Sequence, residues 1–379
     1  MGARRFWKPA PAPPPPSRHR ALLPAALALG FLAGCPRVSP GDSASHPPPD
    51  DVYVAGWEVI GSYPVAIVWK NGVASLLTDG RRSAEALGLA VAGDSVYVAG
   101  NVTDQRTGAS IAMVWKNGVP TALTDGAREA QATGVAVAGA NVYVSGFDTD
   151  AHTGRSVAVV WRNGVQARLS DGAQDARAWA VAVAGADVYV AGEEGTRNRN
   201  LAARVWKNGR PWALTDGSRS AAASALAVCG PDVYAAGHDG SVAKIWKNGA
   251  SYKDLSDGSR LAHGAAIAVA GNQVQVAGWE GRAAALWRNG DATVLTDPSQ
   301  FANALGMAVA GNDVYLAGDE LGDQSHVAVL WKNGSATALS DGMNIARATA
   351  VCVVAHEAPG AAARWPGGSQ GAAPTGIIN

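Results

Sequence analysis

The chain is poor in the residues that most chemistry needs. Of 379 residues, only three are cysteine and seven are histidine. Three cysteines cannot build the disulfide framework of a small secreted scaffold. Seven histidines, two of them before Asp51, leave little for a metal centre, and no metal or other cofactor is expected. Charged residues are scarce at 16%, with 31 basic against 31 acidic. Five of the basic ones (Arg4, Arg5, Lys8, Arg18 and Arg20) lie in the first twenty positions, so the rest of the chain carries 26 against 31. That balance supplies no basic stripe for nucleic acid or an anionic membrane surface. The apolar run at residues 21–33 is too short to span a bilayer as a mature helix. Neither His-Glu-x-x-His nor a phosphate-binding Gly-rich loop ending in Gly-Lys occurs.

What the chain has in quantity is glycine, 46 residues, and tryptophan, 13 residues. Seven of the tryptophans fall in one repeated tetrapeptide, each with a Gly at its end. Trp69-Lys70-Asn71-Gly72 recurs with Lys or Arg in second place at Trp115, Trp161, Trp206, Trp246, Trp287 and Trp331. These seven copies stand 40 to 46 residues apart, a period that signals a repeat architecture. Between them lie four short strand-like pieces per repeat. In one copy these are Gly88–Ala92, Val96–Gly100, Ile111–Trp115 and Val119–Leu123, each bounded by turn residues. Asn-Gly suits a two-residue type I′ hairpin, because both central residues need φ above zero.

Four antiparallel strands repeated seven times describe a seven-bladed β-propeller, an all-β fold. We label the strands A to D from the axis outward and the blades 1 to 7 in chain order. Strand B occurs seven times from Val52 onward, but strand A precedes only the last six copies. The missing piece stands at the other end, Ala348–Val353. Blade 1 therefore takes B, C and D from one end of the chain and A from the other. This C-terminal innermost strand joins the N-terminal blade and closes the ring, and a monomer is expected. The propeller spans residues 51–354, and the Gly-, Ala- and Pro-rich residues 355–379 read as a disordered tail or a shifted reading frame.

Repeated residues have structural explanations. One Trp per blade at fixed register points to packing between blades. Arg204 and Lys244, two positions before their Trp, suggest that this face is partly wet or lies near the blade edge. Antiparallel pairing of B with C sets Asp51 near Lys70, Asp187 near Lys207, Asp232 near Lys247 and Asp313 near Lys332. The Thr/Ser-Asp pairs that end strand D (Asp79, Asp125, Asp171, Asp216, Asp257, Asp297 and Asp341) suit Asx turns. Cys229 and Cys352 fall at equivalent positions of separate blades, too far apart to bridge.

Function is sought where the copies differ. The B–C and D–A connections share one face and vary in length and content, whereas the turns of the other face hardly change. Candidate ligand-binding residues in the B–C connections are Trp57, Glu58, Phe147, Asp148, Asp150, Glu193, His238, Trp279 and Glu280. Arg128, Arg177 and Arg219 join them from the D–A connections. Aromatics beside charges suit a protein or carbohydrate partner, and a solvated rim is the plain alternative. Asp148-Thr149-Asp150 with Thr153-Gly154 partly matches a calcium loop but lacks the length and terminal Glu of an EF-hand. The expectation is a non-catalytic binding module. The alternatives are a lyase or hydrolase acting on extracellular polysaccharide and an assembly scaffold of the outer envelope.

Two resemblances extend this reading. Leu32-Ala33-Gly34-Cys35 after the apolar run resembles the lipobox of bacterial lipoprotein signal peptides. It implies a signal peptide at residues 1–34, lipidation of Cys35, and a Pro/Ser-rich tether over residues 35–50. The run Asp-Val-Tyr-Val-Ala-Gly, Trp-Lys-Asn-Gly, Leu-Thr-Asp-Gly resembles a group of bacterial repeat propeller proteins, many with secretion signals, over residues 51 to about 353. This second resemblance implies a propeller in the bacterial cell envelope, touching the membrane through its lipid anchor only, and brings no activity with it.

Overall fold

The computed structural model describes residues 50–355. The expected signal peptide, the expected lipidation site Cys35, the expected tether (all but Asp50) and all but one residue of the expected tail lie outside the described residues. Those described form 28 strands and no helix, arranged as seven four-stranded antiparallel sheets. The chain is a seven-bladed β-propeller. Blade 1 has the composite order Ala346–Val354, Asp51–Ile60, Tyr63–Lys70, Val73–Leu76. Strand A of blade 1 pairs with strand B from Asp51↔Val354 to Glu58↔Ala346, so the two ends of the propeller chain leave side by side. They leave from the tight-turn face, opposite the B–C and D–A loops.

The turns follow from the sequence and add a clamp. All seven Asn of the Trp-Lys/Arg-Asn-Gly motifs take φ of 49 to 52°, with the following Gly also at positive φ. Each Asn Oδ1 also accepts the backbone N–H of the Val near the start of strand B, as in Val52 N to Asn71 at 2.8 Å and Val188 N to Asn208 at 2.8 Å. In six of the seven copies its Nδ2 donates to the side chain of the residue before that Val, for example Asn208 to Asp187 at 2.7 Å. Lys207 closes on the same carboxylate at 2.7 Å, and the equivalent pairs Lys70–Asp51, Lys247–Asp232 and Lys332–Asp313 measure 2.9, 2.7 and 2.8 Å. At the opposite end of the blade, the strand-D Asp accepts the N–H two residues on, in every copy from Arg81 to Met343. The hydroxyl just before it accepts an N–H of strand C, as Thr78 does from Ala66 and Ser340 from Ala328.

The cores lie between blades. Seven apolar clusters each join two neighbouring blades, and the cluster closing the ring sets Trp69, Val54 and Val351 against Tyr315 and Ala317. Every motif Trp is at most 1% exposed, so the Trp face is dry. Arg204 and Lys244 reach this level because partners neutralise them. Arg204 meets Glu194 at 3.1 Å, and Lys244 meets Asp239 at 3.4 Å and Asp254 at 3.1 Å. Cys229 and Cys352 are free thiols, and burial pushes the Cys352 thiol up to about 11.

Strands A and B run further toward the loop face than their sequence suggests. The Gly of Val-Tyr-Val-Ala-Gly looks like a strand end, yet strand B continues three or four residues beyond it in five blades and two beyond it in blades 5 and 6. Gly318 shows why Gly is needed there. A Cβ at this position would collide with the Asn303 carbonyl of strand A. A register shift in the A–B ladder falls beside this Gly in every blade, and the ladder resumes beyond it.

Candidate functional site

Most of the expected loop residues are therefore strand residues. Trp57, Glu58, Phe147, Asp148, Glu193, His238, Trp279 and Glu280 all lie in strand B, and Arg177 lies in strand A of blade 4, Ala176–Ala184. Only Asp150, Arg128 and Arg219 belong to connections. The others fall inside the sheet because strand B runs on past its Gly.

The extended strands form a belt around the loop-face mouth of the axis. Its inner members are the second residues of the A strands: Glu85, Gln131, Arg177, Ala222, His263, Asn303 and Arg347. Directly across from them on strand B stand Asn101, Phe147, Glu193, His238, Trp279, Asp319 and Trp57. The belt thus unites six of the expected residues: Trp57, Phe147, Glu193, His238, Trp279 and Arg177. It also includes strand-A residues outside the expected set: Glu85, Gln131, Ala222, His263, Asn303 and Arg347. A usable signal was present, because each A strand opens Ala-x-Ala, or Ala-x-Gly in blade 6, with x different in nearly every copy.

The belt side chains interlock around the ring. In four places the strand-A residue of one blade reaches the strand-B residue of the preceding blade. Gln131 bonds Asn101 at 3.4 Å, the Arg177 guanidinium lies 5.2 Å from the centre of the Phe147 ring, His263 meets His238, and Arg347 pairs with Asp319 at 3.0 Å. Within their own blades, Arg347 also covers Trp57 at 6.0 Å and His263 stacks on Trp279 at 5.9 Å.

Two carboxyl groups of the belt are buried and differ in their surroundings. Asp319 is 0% exposed and accepts from Arg347, from His326 Nδ1 at 2.8 Å and from Asn303 at 3.4 Å. Glu193 is 7% exposed. Burial raises its carboxyl above the usual range, opposed by Arg177 and by a hydrogen bond with the Trp179 side chain. Glu85 is likewise raised by burial, with Arg347 opposing. The imidazoles of His238 and His263 meet Nδ1 to Nδ1 at 2.9 Å, so one ring donates the single shared proton and the other accepts it. Burial lowers both, and His238 helps to hold His263 down at about 3.

The remaining candidates stand apart from the belt. Arg128, Asp148 and Asp150 line a polar cavity of about 180 Å³ on blade 3 with Gln166 and Arg168. Asp150 is held there as a turn cap. It accepts the N–H groups of His152 and Thr153 at 2.9 Å and pairs with Arg168 at 2.7 Å. Its carboxylate is therefore held well below the usual range. Donors and a guanidinium already fill the lone pairs that a calcium ion would need. Among the described residues, no group of three or more His, Cys, Asp or Glu is placed to hold a metal. Arg219 pairs with Asp239 at 3.1 Å, and Glu58 is raised by burial and by Asp341. Glu280 ends strand B of blade 6, one residue beyond Trp279.

No family model and no curated protein matches the chain. Among solved structures, acylaminoacyl peptidase from Pyrococcus horikoshii is similar at 12% identity, with TM-scores of 0.43 in an orthorhombic crystal form and 0.46 uncomplexed. The match covers 74% of this chain and 48% of the peptidase, so the chain spans less than half of that enzyme's length.

Proposed function

We propose that this protein is a non-catalytic binding module of the bacterial cell envelope, taking a glycan or protein partner at the belt and its surrounding loops. One observation carries the reading. Seven blades repeat the same residues nearly everywhere, and they differ in chemistry around one end of the axis. A belt residue that served only packing would have no reason to be Glu, Arg, His and Asn in turn, beside blades that share the motif Trp, the Asn-Gly turn and the Asx turn.

The anchoring reading fits the same arrangement. Both ends of the propeller leave from the tight-turn face, so lipid on Cys35 would hold that face toward the membrane and turn the belt outward. The test is a glycan array and an envelope pull-down with soluble protein comprising residues 36–379. Binding that Trp57→Ala and Trp279→Ala weaken supports the proposal. Binding that neither change affects places the partner elsewhere, and cleavage of any arrayed glycan sinks the non-catalytic reading.

A hydrolase is the second reading, and Glu193 is the observation behind it. A buried carboxyl raised above its ordinary range is the form a general acid takes. A recovered cleavage product whose formation Glu193→Gln abolishes would favour it.

A further inference from the structure

One sector of the loop-face rim breaks the repeat. The residue before each strand A holds a fixed place, because its carbonyl accepts an N–H from the end of strand B in its own blade. Ser83 accepts from Thr103 in this way, and Ile345 from Val59. In blades 2 to 5 the residue is polar: Ser83, Glu129, Asp175 and Ser220. Three of these side chains also cap strand C of the preceding blade. Glu129 accepts Ser110 N at 2.9 Å, Asp175 accepts Ser156 N at 2.9 Å, and Ser220 accepts Leu201 N at 3.3 Å. In blades 6, 7 and 1 the residue is Leu261, Phe301 and Ile345, which cannot cap and stand 65%, 47% and 49% exposed.

More apolar surface gathers at blades 7 and 1. Met343 is 72% exposed, at a turn position that holds Arg, Ala or Ser in the other six copies. Ile60 and Tyr63, paired across the hairpin of blade 1, are exposed, as is Leu321 at the end of strand B in blade 7. The exposed Val73, Val119 and Val165, by contrast, share one repeat position at the start of strand D.

The same sector holds carboxylates without cations. Strand B places an acid just beyond the belt residue in every blade but blade 2. In blades 4 and 5 cations meet it: Arg204 at Glu194, and Lys244 and Arg219 at Asp239. In blade 7 Glu320 accepts the Trp331 indole N–H at 3.1 Å instead. In blade 1 burial and the like charge of Asp341 raise the Glu58 carboxyl. Asp341 caps Met343 N, and Asp323 is exposed in the B–C loop of blade 7. Among the described residues, none of these four carboxylates forms an ion pair. Arg347 and His326, the basic groups at hand, are already held by Asp319. Arg260 and Arg282 lie at blade 6, with Arg282 4.7 Å from the centre of the Phe301 ring.

We infer that the rim of blades 7 and 1 docks a protein segment in which aliphatic side chains stand beside Lys or Arg. This rests on the loop face being the binding face, and it makes the partner a protein. Exposed aliphatic side chains gain by being covered, and a cation among them meets carboxylates that no group of this chain neutralises. A second copy would bring the same excess of carboxylates to the contact. An anionic membrane surface would repel them. Aliphatic residues on a rim offer a sugar ring little to stack on.

Fluorescence anisotropy of the soluble protein with short labelled peptides tests this. The probes are alternating Lys-Leu, Glu-Leu and Lys-Ser sequences, with phosphatidylglycerol vesicles alongside. Lys-Leu should bind best. Ile60→Ser with Ile345→Ser should weaken it about tenfold or more, the loss expected from two uncovered aliphatic side chains. Glu58→Gln with Asp341→Asn should weaken it about threefold and flatten its salt dependence. Ile60→Lys should turn the preference toward Glu-Leu. These positions are open or partly open, so Tm should stay unchanged in all three variants.

Equal binding of Glu-Leu, binding of Lys-Leu that neither pair of changes alters, or no peptide binding would each overturn the inference. Vesicle binding or self-association that Ile60→Ser with Ile345→Ser abolishes would overturn it too, giving the rim to lipid or to a second copy. An envelope partner whose binding responds to Trp279→Ala but to neither rim pair would sink this inference alone. The broader proposal fails separately, when no partner's binding responds to Trp57→Ala or Trp279→Ala.

Discussion

At the scale of single residues, the same side chain type has opposite meanings in two blades. Asp319 is enclosed by Arg347, His326 and Asn303, so removing its charge strands a guanidinium beside a closed site. Asp319→Ala should cost about 3 kcal/mol, the range for breaking a buried pair. Denaturant unfolding checks this as a lower midpoint with unchanged slope. Glu193→Gln, which removes a charge that lacks an ion pair, should lose no stability in the same assay. The motif Asn is a third case. Asn208→Asp keeps the acceptor for Val188 but sets a carboxylate against Asp187, where Nδ2 donated at 2.7 Å. A loss of about 1 kcal/mol is expected, the usual worth of one hydrogen bond.

The histidine pair makes stability depend on pH. Both rings are lowered from the ordinary value, His263 to about 3, so the unfolded chain binds more protons than the folded one between that pH and about 6.5. Stability contributed by the pair is complete above about pH 6.5 and is lost as pH falls toward 3. The charged groups around the rings are Asp239, tied to Lys244 and Arg219, and Glu280 one residue past Trp279. Strand A of blade 5 brings no titratable side chain near the pair, and strand A of blade 7 brings none at all. Glu85 and Glu193 are raised and work in the opposite direction, losing stability as pH rises. The comparison must therefore be between proteins. The Tm of His238→Gln/His263→Phe should fall less steeply than that of wild type from pH 6.5 to pH 4.5. Parallel curves would mean that the pair carries no linkage.

At the scale of elements, the closing strand Ala346–Val354 is the most consequential piece of chain. It pairs with strand B along its whole length, and the single Thr349 hydroxyl proton is shared between Ala55 O at 3.0 Å and Ala86 O of blade 2 at 2.8 Å. Ending the chain at residue 345 exposes the inner edge of blade 1 and opens two inter-blade cores. The truncated protein should melt well below the parent and expose apolar surface to a hydrophobic dye. Identical melting would contradict the closure. A motif Trp acts more locally. Trp287→Ala empties the centre of one inter-blade core and should cost 3–5 kcal/mol, the range for a large aromatic removed from a core, without opening the ring.

At the scale of the whole molecule, symmetry divides scaffold from site. The tight-turn face repeats Asp, Lys, Tyr and Asn clamps, with the ammonium groups of Lys70, Lys247 and Lys332 lying 5.0 to 5.1 Å from the ring centres of Tyr53, Tyr234 and Tyr315. The loop face carries a different chemical group in almost every blade. A ring spreads the burden of stability over seven equivalent interfaces, so the belt can vary without any one blade losing its core. Arg177→Ala, which breaks no ion pair, should accordingly alter binding with little change in Tm.

The sequence by itself determined the blade count, the strand order and the closure. These rest on local chemistry: Asn-Gly demands a left-handed turn, Asp begins an Asx turn, and alternating small and branched residues demand a sheet. It also determined the four Lys–Asp pairs, because hairpin register follows from the turn. Trp-Lys-Asn-Gly marks that register, with a Trp for the core, a Lys for the clamp and Asn-Gly for the turn. Only the tertiary structure decided where the variable residues meet. Trp57 and Arg347 are almost a whole propeller apart in the chain, and His238 and His263 belong to different blades, so no local pattern joins either pair. The same holds for Asp319 in blade 7, whose cation, Arg347, comes from strand A of blade 1. Local sequence fixes backbone hydrogen bonds within a hairpin, whereas contacts around the belt exist only once the ring has closed.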